Sequence, residues 1–391
     1  MGTMTVGDLA AAMERIAPVG LAESWDNVGL LLGSRSDELR GPVLLTIDVT
    51  EAVLDEAIGL SCSAIVSYHP PIFNAVKRVC DDTSSGRVVL RAARAGLAVY
   101  SPHTALDAAS GGMTDWLADM VLVSRTTGDP HHADRRALRP AVVQRPSEQL
   151  KIVTFVPADA LERVRLGLAS AGAGRIGLYS VCSFSVEGGG TFLGEAGSNP
   201  TTGAPGRLES VREERLEMVC ARQSLAIALQ TLRQFHPYEE PAIDVYELIA
   251  QPRRDLGVGR RLILDSPQPL ETIAARLKKN LGLATMTIGR AGGVGHESIS
   301  VIGVCPGAGG ELAPLALADG CQLFVTGEMK HHDVLSATAQ GLSVALCGHT
   351  NTERGYLRVL CDRLGSEMAA AGLGDVRFVV SSADVDPLRP I

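Results

Sequence analysis

The constraint that narrows the fold most is an alternation of short apolar runs and helix-like stretches, interrupted and then resumed. From Gly41 the chain reads strand Pro42–Ile47, helix Val53–Leu60, strand Ala64–Ser67, helix Ser85–Ala95, strand Leu97–Tyr100 and helix Met113–Met120. Such alternation is the signature of a parallel sheet covered on both faces. It returns near Leu256, with a helix over Leu270–Leu281, strands at Ser298–Val304 and Cys321–Val325, a helix over Lys330–Gln340, a strand at Ser343–Leu346 and a last helix over Glu353–Ala371. Between the two stretches lies a polar, Pro-rich, aperiodic segment, taken as a linker over 129–148. A β-α-β-β-α-β order follows over 149–252: Leu150–Val156, Ala158–Ala171, Ser180–Glu187, Glu214–Ala221, Ser224–Phe235 and Ala242–Leu248, with a Gly-rich loop between the middle strands. That order is the ferredoxin-like split pattern. The expectation is an α/β domain with a mostly parallel sheet, built from residues 1–128 and 253–391 and interrupted by the inserted module.

Composition excludes some classes. With 36 Lys+Arg against 44 Asp+Glu the net charge is -8, and no run of like charge stands out. A chain that neutralises phosphates would show a basic patch, so nucleic acid and anionic membrane are disfavoured as partners. No apolar run approaches the ~18 residues that span a bilayer. The first twenty residues form an amphipathic helix with Val6, Leu9, Met13 and Ile16 on one face, not a signal peptide. Eight cysteines without a Cys-x-x-Cys pair fit reduced core residues of a cytoplasmic protein.

The histidines are few, nine in all, and their positions are informative. His69, His103, His331, His332 and His349 each follow a strand, and the carboxyl rim of a parallel sheet is where ligands bind. His131 and His132 fall in the linker, His236 ends a helix and His296 sits in a Gly-rich turn. Two segments repeat one another: His103-Thr104-Ala105-Leu106-Asp107 and His349-Thr350-Asn351-Thr352-Glu353. Each places a histidine at a strand end and a carboxylate in the following helical turn, a donor mixture suited to zinc, manganese or iron(II). The same spacing also matches a helix capping box. One copy alone favours the cap, whereas the two copies with three further strand-end histidines favour a metal site. The Asp26-Asn27 loop either approaches that site or forms a polar turn with Trp25 packed on the core. Tyr68 points at a substrate or packs at the strand end. In FHPYEEPA, His236 and Glu239 either pair on a cation or form a turn with solvated acids. A P-loop is excluded by the lack of Gly-x-x-x-x-Gly-Lys-Ser/Thr.

Five segments in order, SWDNVGLLLG, SYHPPIF, HTALDAASGGMTDWLA, TGEMKHHD and GHTNTERGYL, resemble the NIF-three-like family, also known as GTP cyclohydrolase I type 2 homologs or dinuclear metal-centre hexameric proteins. The central GAGRIGLYSVCSFSVEGGGTFLG and FHPYEEPAIDVYEL are similar to that family's inserted PII/CutA-like domain. The resemblance implies a toroidal homo-hexamer with two divalent metal ions (Zn, Mn or Fe) per subunit. It makes His69, Asp107, His349 and Glu353 the metal ligands, with Asp107 and Glu353 as bridges. His103 would be a ligand or lie close beside the metals. Glu328 and His332 would surround them as orienters or proton carriers. Many members carry two adjacent histidines before the proline, and here the first is Tyr68, which leaves one metal position open to water or to Tyr68 itself.

Two functions follow as expectations. One is a metal-dependent hydrolase or cyclohydrolase acting on a nucleotide-like small molecule, with His332, His103 and Glu328 handling protons. The other is a non-catalytic metal-binding regulatory protein whose PII-like module senses a small molecule or a partner.

Overall fold

Thr5 starts the first helix. Its hydroxyl accepts the Asp8 amide, and the Asp8 carboxylate takes the Thr5 N–H at 2.8 Å, a complete capping box. The resulting helix α1 (Val6–Ile16) buries Val6, Leu9, Met13 and Ile16 on one side. The computed structural model describes residues 4–122, 134–292, 298–373 and 376–388. His131, His132 and His296 lie outside the described residues.

The chain divides into two units, Met1–Ala141 with Arg253–Ile391, and Val142–Pro252. In chain order the first unit continues with β1 (Gly29–Leu32), β2 (Val43–Thr46), α2 (Glu51–Gly59), β3 (Ala64–Ser67), α3 (Ser84–Arg94), β4 (Ala98–Ser101), α4 (His103–Ala108), α5 (Met113–Val121), β5 (Asp134–Arg136) and the start of β6 (Arg139–Val143). The second unit holds β7 (Leu150–Val156), α6 (Leu161–Ser170), β8 (Phe184–Leu193), β9 (Leu208–Cys220), α7 (Leu225–Phe235) and β10 (Ile243–Glu247). The chain then runs through β11 (Gln251–Val258), β12 (Arg260–Gln268), α8 (Leu270–Leu281), β13 (Thr287–Gly289), β14 (Ile299–Ala308), α9 (Ala313–Ala318), β15 (Leu323–Glu328), α10 (His331–Ala339), β16 (Ser343–Leu346), α11 (Tyr356–Ala370) and β17 (Phe378–Val380).

The first unit carries two principal sheets rather than one mostly parallel sheet. One has the order β1-β4-β3-β2-β17, parallel except at β1. Strands β2, β3 and β4 are buried at every position, the continuous apolar reading of a sheet covered on both faces. Residues of α1 and α11 cover one face, and Val53, Leu54 and Ala92 from α2 and α3 cover the other. The second sheet has the order β13-β16-β15-β14-β12-β5. Only β14-β15-β16 is parallel there, and β12, β5 and β13 pair antiparallel. Strand β12 escapes a search for apolar runs because it alternates: Arg260, Leu262 and Leu264 point inward between less buried residues. The segment taken as an aperiodic linker likewise contains β5 and β6, and β5 extends the second sheet along β12.

In the second unit the sheet order is β10-β7-β9-β8, antiparallel throughout. Leu150, Ile152, Leu216 and Met218 pack with Val164, Leu168, Ala228 and Leu232 of α6 and α7. Strands β8 and β9 form a longer hairpin than the sequence pattern marks. Gly188, Gly189 and Gly190 sit inside β8, in register with Glu213, Arg212 and Val211, instead of forming the loop. Glycine contributes no side chain to a period-2 pattern, so this part of the strand is silent in the sequence. All eight cysteines are unpaired; Cys220, Cys305, Cys321 and Cys347 are buried, and Cys80 is exposed.

Candidate metal centre

His69 stands just beyond β3. Its N–H donates to the Ile47 carbonyl at 2.9 Å, and the Ser67 hydroxyl donates to its carbonyl at 2.6 Å. Its Nδ1 lies 2.9 Å from Asp48 Oδ1. A carboxylate only accepts, so Nδ1 carries the proton and Nε2 presents a lone pair. His349 follows β16 and repeats the arrangement, with Nδ1 3.0 Å from Glu328 Oε1 at the end of β15. Both Nε2 atoms converge on Glu353: His349 at 3.3 Å from Oε1 and His69 at 3.7 Å from Oε2. A carboxylate on the far nitrogen is the usual way of fixing the tautomer of a metal-binding imidazole.

Glu353 is 1% exposed, and its Oε2 is buried with no hydrogen-bond partner. Burial pushes its carboxyl well above the usual range, and the charges of Asp107 and Asp48 push the same way. A carboxylate oxygen left unpaired in such a place is costly unless something positive meets it. His69, His349 and Glu353 offer ligand atoms that all lie within 4.8 Å of one another, so the three could hold a metal ion. The orphaned oxygen and the two free imidazole lone pairs fit a cation. Room for it is kept by Gly307, at φ +60°, where a Cβ would stand 2.7 Å from Glu353 Oε1 and 3.1 Å from His349 Nε2.

Asp107, expected as a fourth ligand, ends beside this triad with Oδ1 accepting the Tyr68 hydroxyl at 2.7 Å. Burial raises its carboxyl to about 6, against the lowering effect of that hydrogen bond and of His103 and His69. Tyr68 itself is 2% exposed. Burial, together with the Asp107 and Glu353 charges, holds its phenol well above the ordinary value, so it stays a donor. His103 packs at 5.4 Å between ring centroids from both Tyr68 and His69, with φ at +26°, in the left-handed region rarely adopted by non-glycine residues. Its Nδ1 meets Asp26 Oδ1 at 2.8 Å, and Asp26 Oδ2 accepts the Thr104 amide and hydroxyl. Burial works to raise Asp26, but the bonds to His103 and Thr104 outweigh it and hold the carboxyl below its usual value.

The capping-box reading of the repeated motif fails at both copies. The Thr104 hydroxyl goes to Asp26 and the Thr350 hydroxyl to Asp386, and neither α4 nor the turn after His349 has a side-chain cap. The acids are thereby left to the site. Of the two alternatives for the Asp26-Asn27 loop, the structure supports an approach to the site, with Asp26 bonded to His103 and Thr104, and not the packing of Trp25 on the core, since that ring is 55% exposed. His331 and His332 open α10 at the surface, with their rings 5.6 Å apart. His236 is no cation ligand, because Nε2 bonds to the Phe155 carbonyl and Nδ1 accepts the Tyr238 amide. The residue that sequence reasoning missed is Asp48. It stands two residues past the end of β2, so the strand-end rule applied to acids as well as histidines would have found it.

Residues 4–387 match the Duf34/NIF3 (NGG1p interacting factor 3) family, and the chain belongs to it. It is 34% identical over 374 residues to a GTP cyclohydrolase 1 type 2 homolog of Halalkalibacterium halodurans, covering 96% of this chain and 95% of that one. It is 32% identical over 389 residues to NIF3-like protein 1 of Bos taurus, covering 99% and 93%. Among solved structures it is similar to a Bacillus cereus protein related to NIF3, at 30% identity with a TM-score of 0.69 and all of both chains covered. Among the described residues no helix is long and apolar enough to cross a membrane.

Proposed function

We propose that the protein is a metal-dependent hydrolase or cyclohydrolase of a nucleotide-like small molecule, working in the cytoplasm as a homo-hexamer. The observation that carries this is the unpaired Glu353 oxygen, set between two imidazoles whose far nitrogens are both locked by carboxylates. His69, His349 and Glu353 would hold one divalent cation, and Asp107 with its neighbours would complete a second position. Zinc, manganese or iron bound there supplies Lewis acidity toward the bond to be broken. The chain's own groups do the rest. Asp26 fixes His103 with one nitrogen engaged and the other left to take or return a proton. Glu328 orients His349, and His332 stands at the surface as a proton carrier to solvent. The name of the Halalkalibacterium halodurans relative supports a nucleotide-like substrate.

The test is elemental analysis of protein purified without added metal, beside His349→Ala and Glu353→Ala, followed by a screen of nucleotides, phosphoesters and cyclic amides. Turnover that survives Asp107→Ala unchanged overturns the catalytic reading. So does metal content below one ion per chain that added Zn or Mn does not restore.

A second reading, a regulatory protein with a sensor module, draws on the second unit. Its element order and strand order support a ferredoxin-like, PII/CutA-like assignment. It contains a cavity of about 570 Å³ lined by Phe155, Phe192, Val211, Glu213 and Tyr238, with bare backbone at Gly188 and Gly189, within the size range of small-molecule sites. Deleting 149–252 separates the readings: a sensor role predicts lost ligand or partner response with metal content intact.

A further inference from the structure

Two large aromatic side chains stand in solvent beside the metal triad. Trp25 is 55% exposed and Phe73 48%, in a chain that has only two tryptophans and seven phenylalanines. Their ring centroids lie 5.9 Å apart at 53°. Each also meets the His103 ring near edge-on, Trp25 at 6.0 Å and 75°, Phe73 at 6.4 Å and 73°. From His103 the contacts continue inward, 5.4 Å to His69 and 5.6 Å from His69 to His349. A train of rings therefore leads from solvent to the two imidazoles that face Glu353.

The loops that carry the pair are pinned although the rings are bare. Asn27 Nδ2 donates to the Ile72 carbonyl at 2.6 Å, tying the residues next to Trp25 and Phe73 to each other. The Glu23 amide donates to Thr104 Oγ1 at 3.0 Å, and Asp26 bonds to His103 and Thr104. Ordered backbone beneath exposed rings is the arrangement of a preorganised binding surface, because the ordering cost is met before the ligand arrives. Two π faces held at an angle suit a flat ring with its own π face, and such stacking tolerates many ring types.

We propose that Trp25 and Phe73, with the His103 edge, form a stacking platform for a planar heteroaromatic ring, of the nucleobase class, carried by the molecule on which the metal centre acts. The platform names the ring-binding part of the substrate, and it rests on the hydrolase reading only for what happens after binding. His69, His349 and Glu353 then face the group attached to the ring.

Trp25 reports on its own occupancy. Adenosine, guanosine, cytidine and uridine are titrated against the full chain, metal-loaded and metal-free, with tryptophan fluorescence and equilibrium dialysis as readouts. At least one nucleoside is expected to quench the emission. Trp116, packed 6.4 Å from the Tyr356 ring, supplies a constant background. Trp25→Phe should abolish most of the ligand-dependent quenching while retaining measurable binding in dialysis. Trp25→Ala and Phe73→Ala should each weaken binding at least tenfold with metal content unchanged, and Glu353→Gln should lose metal while still quenching. The platform is overturned if no nucleoside binds, or if both alanine variants bind as the unmodified chain does. Tetramethylammonium quenching in place of nucleosides also overturns it, as does a change in molecular mass of Trp25→Ala with nucleoside binding unaltered. Nucleoside binding without any turnover removes the hydrolase reading and leaves the platform standing. Turnover with KM unchanged in Trp25→Ala does the reverse.

Discussion

The Tyr68 hydroxyl donates a 2.7 Å hydrogen bond to Asp107 Oδ1. A phenol thus stands where the family resemblance leads one to expect a second histidine, and it uses up one oxygen of a candidate ligand. Because burial and nearby carboxylates keep that phenol protonated, it is a poor ligand for a cation in its own right. Tyr68→His should therefore raise the metal bound per chain, read by elemental analysis after dialysis against a weak chelator. Tyr68→Phe should leave the stoichiometry unchanged and cost about 1.5–3 kcal/mol of stability, the range for a hydrogen bond to a charged group. A Tyr68→His protein with unaltered stoichiometry would show that the second position is limited by something other than this side chain.

Metal and protons should compete. In the metal-free chain Asp107 sits near 6 and Glu353 well above its ordinary value, both raised first by burial. A folded-state value above the unfolded one means that both carboxyls favour the fold at acid pH; Asp107 withdraws that support as pH climbs through about 6, and Glu353 does so with the same sign. A bound cation replaces the protons and reverses the loss. The gap in Tm between metal-loaded and chelator-treated protein should widen from pH 5 to pH 7.5, with protons released on metal addition. A gap that is flat across this window would place the metal away from these two acids.

Gly307 offers a sharper geometric test. Alanine there meets Glu353 Oε1 at 2.7 Å and His349 Nε2 at 3.1 Å, and must also hold φ near +60°, which costs about 1–2 kcal/mol for an L residue. Gly320→Ala is the control, since its φ is +75° and a Cβ finds nothing within 4 Å. Both variants should lose similar stability, and only Gly307→Ala should bind metal at least tenfold more weakly in a chelator competition. Equal metal affinities would mean that Glu353 and His349 move aside at no cost to the site.

Much of this centre could be read from the chain because strand ends are local signals. His69, His103 and His349 each follow an apolar run of four or so residues, with Glu353 one turn beyond His349, and their shared position says that they can meet. Their orienting carboxylates are harder to see. Asp48 serves His69, Asp26 serves His103 and Glu328 serves His349, each from a different strand or loop, and no spacing rule pairs them. The second sheet was legible only where it is parallel. Strand β12 alternates buried and less buried residues, β5 is three charged residues with none buried, and both carry arginines, so they look like surface until the partner strand is known. The two alternatives for the loop at Trp25 stay open in the sequence for a related reason: a large aromatic ring belongs in a core by default, and only its neighbours show that it stands outside.

Arg260 shows how far from the metal the site can be disturbed. It is 1% exposed, and its guanidinium bonds to Asp115, to the carbonyls of Gly257 and Gly259, and to those of Ala108 and Ala109. The last two carbonyls close α4, the short helix that carries Asp107 and Tyr68's partner oxygen. One buried side chain thus ties β12, from the second half of the unit, to the segment that positions a candidate ligand from the first half. Arg260→Met removes the charge, leaving the Asp115 carboxylate with the Gly111 amide at 2.7 Å and Arg135 at 3.4 Å and several carbonyls without this donor, so the cost should approach but not exceed the range of about 3–5 kcal/mol for breaking a buried pair. Asp115→Asn keeps acceptors near the guanidinium and should cost less. In a double-mutant cycle, Arg260→Met with Asp115→Leu should recover part of the loss, because no lone buried charge remains. Urea unfolding of the metal-free proteins measures the energies. Elemental analysis of the folded Asp115→Asn protein should show metal retained by His69, His349 and Glu353, with any loss confined to the position that Asp107 completes. Additive single losses would show that the guanidinium's carbonyl contacts, not the ion pair, hold the two halves at this point.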